Sequence, residues 1–249
     1  MFGMSDPAQT IQQIERYAAE GRLEIAEVMA TEFCQLMLTK HSENTQQLVY
    51  LVKGLRLLCS IYLLREKGKE GLIWIKKLHN FRKKLHNLLR KNAPELLKSL
   101  PSPGEDYHLS GNLYAMANKK SKARKMYNKS SKFLNHPLEV RCDAVLYGLQ
   151  DSSTMLFFLE SLDHHQGISK VNEEFHVMSA SGTLVHFSKV KQCLTMMVTV
   201  EKFQARTQEH LDFFEQEIHR IEEGERAANA QLEAALQNLQ PKHDYYQYG

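Results

Sequence analysis

Cations, rather than nucleophiles or metal ligands, dominate the chemistry this sequence offers. Between Lys53 and Lys132 there are 20 Lys and Arg against 5 Asp and Glu, although the whole 249-residue chain carries only 32 against 29. The run Ile75-Lys76-Lys77-Leu78-His79-Asn80-Phe81-Arg82-Lys83-Lys84-Leu85-His86, extended by Arg90-Lys91, combines an apolar stripe with a cationic face. Lys76, Arg82 and Lys83 are its candidate contact residues. Lys119, Lys120, Lys122, Arg124, Lys125, Lys129 and Lys132 form a second basic run further along. Helices of this kind bind acidic peptides, nucleic acid or an anionic membrane surface. Two such runs on one side would attract anions over a Debye length of about 8 Å. The alternative is a solvated outer face neutralised by the acidic C-terminal segment.

Catalytic constellations do not assemble. Gly68-Lys69-Glu70-Gly71 lacks the remaining elements of a phosphate-binding loop, and Ser179-Ala180-Ser181-Gly182 is not a nucleophile elbow. His164 and His165 are adjacent and cannot face one ion from a helix, while His79 and His86 have no Cys or carboxylate pair at ligand spacing. The expectation is a protein that is not an enzyme, with no catalytic residues, no metal and no cofactor. Four widely separated cysteines (Cys34, Cys59, Cys142, Cys193) suit a reducing setting, and the expectation is cytoplasmic, with a nuclear location left open. Met1 to Arg16 shows no secretory pattern. Mean hydropathy is -0.44. The most apolar uncharged run, Leu57 to Leu64, falls short of the ~20 residues of a bilayer span, so no transmembrane segment is expected.

The elements that must carry these residues are helices. Ile11, Ile14, Tyr17 and Ala18 share one face, as do Ile25, Val28, Met29, Phe33 and Leu36. Leu48 to Leu63 and Leu72 to Leu89 continue the three-and-four spacing, and Gly21-Arg22 is too short for anything but an antiparallel turn. Only Leu184–Phe187 and Thr195–Val200 read as extended, and a helix can absorb both. The fold class is all-α, built of antiparallel helix pairs.

Residues Gly104 to Pro137 carry a repeat pattern: Tyr107, Ser110-Gly111 and Tyr114, then Ala123, Tyr127 and Ser130, with Asn118-Lys119-Lys120 as the turn. This unit resembles a tetratricopeptide repeat, with its proline about two residues late. Ile14, Tyr17, Ala26, Ala30 and Phe33 align as one further copy, and Cys59, Tyr62, Gly71, Ile75 and Leu78 as another. Their starts are spaced by about 45 and 52 residues, so His86 to Pro103 reads as an insertion or an elongated helix. The resemblance implies a groove lined by the first helix of each unit and gripping peptide carboxylates. Its groove-facing matches are Lys53, Arg56 and Ser60 on one unit and His108 and Asn112 on the next. Asn112 fits the family's clamp, and His108 replaces its usual lysine.

From Glu201 to Gln240 there is no proline and one glycine, and Leu211, Phe214, Ile218, Ile221, Ala228, Leu232, Ala235 and Leu239 follow a heptad interrupted at Glu225. The expected organisation is a repeat-like domain over 1–200, a long capping or coiled-coil helix over 201–240 and a tail over 241–249. A second copy of the chain, paired through that helix, is one expected partner. The functional expectation is an adaptor binding an acidic peptide or helix of a protein partner through the groove or the basic face. Nucleic-acid or anionic-membrane binding through 76–91 and 119–132 is the alternative.

Overall fold

The computed structural model describes residues 6–40, 44–134, 137–164 and 180–239. Among them every regular element is a helix: α1 (Pro7–Ala19), α2 (Leu23–Lys40), α3 (Thr45–Leu64), α4 (Gly68–Asn92), α5 (Pro103–Met116), α6 (Lys120–Ser130), α7 (Pro137–Leu146), α8 (Ser152–His164), α9 (Ala180–Met197) and α10 (Gln204–Leu239). The chain divides into two compact units, residues 1–158 and 159–249.

In the first unit the odd helices start and stop by one local recipe. Asp6, Asn44 and Ser102 cap α1, α3 and α5 through side-chain oxygens, and a proline follows directly in α1 and α5. At the other end each odd helix closes on a left-handed residue: Gly21, Glu66, Asn118 and Gly148. The amide of the next residue then reaches back to the last turn: Arg22 to Tyr17, Lys67 to Tyr62, Lys119 to Tyr114 and Leu149 to Ala144. This is the Schellman closure, repeated four times. The fourth copy closes α7 in the same way, and Arg141 of α7 donates to the Phe157 carbonyl of α8; the sequence pattern gave no signal for this turn beyond Gly148.

Packing repeats with the same logic. Helices α2, α4 and α6 each pack on the odd helix before them, and α1 touches α3, α3 touches α5, and α5 touches α7. Small residues permit the close approaches. A Cβ on Gly111 would lie 2.6 Å from the Tyr127 ring, which fixes the α5–α6 crossing expected from the sequence. The core runs from Ile11 and Ile14 through Leu51, Leu55, Leu58, Ile75, Leu78 and Leu85 to Leu113. Helix α3 is long and apolar enough by composition to cross a membrane, but half of it is buried within the stack. The irregular spacing before α5 comes from a long α4, 25 residues, followed by a 3-10 turn over Pro94–Ser99.

In the second unit α9 packs on α10, with the Phe187 and Phe214 rings edge to face at 5.3 Å and Lys191 paired to Glu215 at 3.1 Å. The two compact units meet in sequence at 158/159, within α8. Helix α10 has 36 residues, about 54 Å, against about 27 Å for the 18 of α9. Its heptad seam is therefore covered only at the start. Leu211 and Phe214 are buried, whereas Ala228 and Leu232 are exposed. Residues 240–249, including the expected tail, lie outside the described residues, as do His165 and Ser179.

The left-handed positions give a direct test. Glu66 occupies φ 57° without glycine's freedom, a conformation that costs an L-residue about 1 kcal/mol or more. Glu66→Gly should stabilise the protein by roughly 0.5–1 kcal/mol, and Gly21→Ala should destabilise it by a similar amount, both read from urea midpoints at constant slope.

Candidate functional site

The odd helices bring the expected groove residues together. Lys53, Arg56 and Ser60 line a cleft of about 560 Å³ with Ile11, Tyr50 and Leu100. Arg56 and Ser60 also border an adjoining cleft of about 430 Å³, whose walls include Glu105, His108, Asn112 and Asp143. Geometry thus unites the five predicted groove residues along one surface.

Electrostatics limits what most of them can do. Arg56 pairs with Glu105 and lies 3.3 Å from Asp106. The Asp143 carboxylate sits 2.8 Å from His108 Nε2 and accepts from Asn112 Nδ2 at 2.9 Å. The Asn112 carbonyl in turn accepts from the Tyr127 hydroxyl at 2.8 Å. Asn112 is therefore a joint between α5, α6 and α7, and its polar groups are committed. Lys53 differs: it is exposed, with no ion-pair partner among the described residues.

Arg82 requires a correction. The sequence places it on the outer cationic face beside Lys83, but it is 8% exposed. Its guanidinium donates to the Pro101 carbonyl and lies 3.6 Å from Asp106 Oδ2. Burial pushes the Arg82 pKa down while Asp106 opposes it; burial pushes Asp106 up while Arg82 and Arg56 oppose it. The helical register explains the placement, because Arg82 is four residues after Leu78 and three before Leu85, on the buried stripe.

The even helices form the other candidate surface. Helix α4 has eight Lys and Arg against the single carboxylate Glu70, and α6 has five against none. Lys76, Lys83, Lys84, Arg90, Lys91, Lys120, Lys122, Lys125 and Lys132 are exposed. None of these nine has a carboxylate within ion-pair distance among the described residues. On α6 the exception is Arg124, paired with Asp151 at 2.5 Å. The two helices are electrostatically close: Lys129 of α6, together with Arg82, adds to the burial that pushes the His79 imidazole of α4 below its usual range.

A His–Ser pair also appears, His79 Nε2 and Ser110 Oγ at 2.6 Å. Ser110 is fully buried, and its hydroxyl donates to the Asp106 carbonyl at 2.7 Å. With its proton committed and its oxygen inaccessible, it serves as a structural link rather than a nucleophile. All four cysteines are buried and free, and burial pushes the Cys34 thiol up to about 12. Asp106, Asp143 and Tyr127 are the partners that sequence reasoning missed as site residues. Only Tyr127 carried a signal, through its repeat position. Comparison with known protein families, characterised proteins and solved structures finds no match to this chain.

Two predictions follow the buried groups. Arg82→Ala leaves the Asp106 carboxylate short of a buried partner and should cost about 3–5 kcal/mol in urea unfolding, whereas neighbouring Lys83→Ala should change stability by less than about 0.5 kcal/mol. Burial lowers the His79 pKa in the folded state, so the unfolded imidazole, with its ordinary pKa near 6.5, takes up a proton more readily. Stability should therefore be flat in this group above about pH 6.5 and fall as pH drops below it. His79→Gln keeps a donor for Ser110 and should flatten that decline.

Proposed function

We propose that this chain is a non-catalytic helical-repeat adaptor that holds an acidic partner on the face formed by α4 and α6. One observation carries this reading. The groove cations Arg56 and Arg82 are matched by the protein's own carboxylates, while the exposed lysines of α4 and α6 are not. Charges without intramolecular partners keep their field in solution and are available to a ligand. In this reading Lys76 and Lys83 are contact residues, Arg82 supports the stack from within, and His108 and Asn112 maintain the α5–α7 joint. The four buried free thiols support a reducing, cytoplasmic setting.

Charge reversal separates the two surfaces. Lys76→Glu/Lys83→Glu/Lys125→Glu/Lys132→Glu should abolish retention on heparin and weaken binding of a polyglutamate peptide at least ten-fold. Lys53→Glu, in the groove, should leave both unchanged. The reverse pattern would move the site to the cleft between α1 and α3 and overturn the assignment. Circular dichroism of each variant checks that the helices remain.

A further inference from the structure

Three rings form a ladder that bridges the two basic helices. His79 of α4 stacks on Tyr107 of α5 with centroids 5.1 Å apart and planes 27° apart. Tyr107 stacks on Phe133, just past the end of α6, at 5.8 Å and again 27°. Lys129 Nζ lies 5.2 Å from the centre of the Tyr107 ring. Phe133 ends the ladder and is 53% exposed: Tyr107 stacks on its ring and Gly104 lies close to its Cβ, while about half of the residue's surface remains open to solvent.

The cations lie around this ladder. Lys76 and Lys83 are three residues before and four after His79, on the same side of α4. Lys132 directly precedes Phe133, and Lys125 and Lys129 are one turn apart on α6. Lys76, Lys83, Lys125 and Lys132 have no carboxylate within reach among the described residues, and on α4 alone the basic run from Lys76 to Lys91 extends over about 23 Å. An open aromatic face at the end of a stack, set within unpaired lysines, is the arrangement that accepts an unpaired base together with its phosphates. An acidic protein segment would use the lysines but would gain little from the open ring face. A duplex would use the lysines with its own base faces already covered.

Resting on the reading of the α4–α6 face as the binding surface, we propose that its partner is single-stranded nucleic acid. One base stacks on the outer face of Phe133, and the flanking phosphates are held by Lys76, Lys83, Lys125, Lys129 and Lys132. No covalent step is involved.

The test is fluorescence anisotropy of the full chain with a labelled single-stranded oligothymidylate of about 20 nucleotides, a duplex of equal length and a polyglutamate peptide, across a salt series. The single strand should bind tightest. Phe133→Ala should weaken it roughly ten-fold or more, while Phe133→Tyr, which keeps a stacking face, should restore it. The four-lysine reversal used above should abolish binding to all three probes. Single Lys→Ala changes should lower the log–log salt slope by about 0.7 per lost phosphate contact. Equal binding of the three probes with no effect of Phe133→Ala would overturn this inference while leaving the basic face as the interaction surface. Preference for polyglutamate would also overturn it, in favour of an acidic protein segment. If no anionic probe binds and the charge-reversed variant behaves like the parent protein, both readings fail together.

Discussion

A buried carboxylate holds the middle of the helix stack. Asp106 is 1% exposed and lies 3.3 Å from Arg56 of α3 and 3.6 Å from Arg82 of α4. Three charges removed from water are tolerable only together, because each alone would be desolvated without compensation. The cluster therefore fixes α3, α4 and α5 against one another. The same residue makes a second link: its backbone carbonyl accepts a hydrogen bond from the Ser110 hydroxyl, Ser110 meets His79, and His79 is the first ring of the ladder. The buried ion cluster and the aromatic stack thus meet at one residue, Asp106, through its carboxylate and its backbone carbonyl respectively.

That cluster also explains the separation of charge. Carboxylates of α5 and α7 are drawn into the odd-helix layer, where Glu105, Asp106 and Asp143 match Arg56, Arg82 and His108. Beyond Arg82 and Arg124, the exposed cations of α4 and α6 have no such partner among the described residues, and α6 carries no acidic residue of its own. Overall charge is nearly balanced, yet the α4–α6 surface is strongly cationic. Most groove cations are neutralised within the protein, whereas the exposed lysines of α4 and α6 are not.

Much of the fold was legible because its causes are local. Ser110-Gly111 opposite Tyr127 announced a close helix crossing, and the Gly111 clearance confirms it. Gly21 marked the first left-handed turn. Glu66 and Asn118 do the same work at the second and third turns without a glycine to signal it, so the regularity of the four closures became visible only in the backbone. Arg82 was misplaced although a signal existed: its register with Leu78, Leu85 and Leu89 puts it on the buried stripe. Its cationic neighbours Lys83 and Lys84 masked that register.

Sequence alone determined the all-α class, the helix-pair turns and the basic character of the middle segment, since periodicity, capping and charge density act within a few residues. Tertiary structure decided which charges are free. Arg56 meets Glu105 across 49 residues of chain and Asn112 meets Asp143 across 31, and neither pairing leaves a trace in local spacing. The same holds for His79, Tyr107 and Phe133, three rings from separate segments that become one surface only when α4, α5 and the end of α6 pack together. Whether a charge or a ring is available to a partner depends on its through-space neighbours, and chain packing alone supplies those.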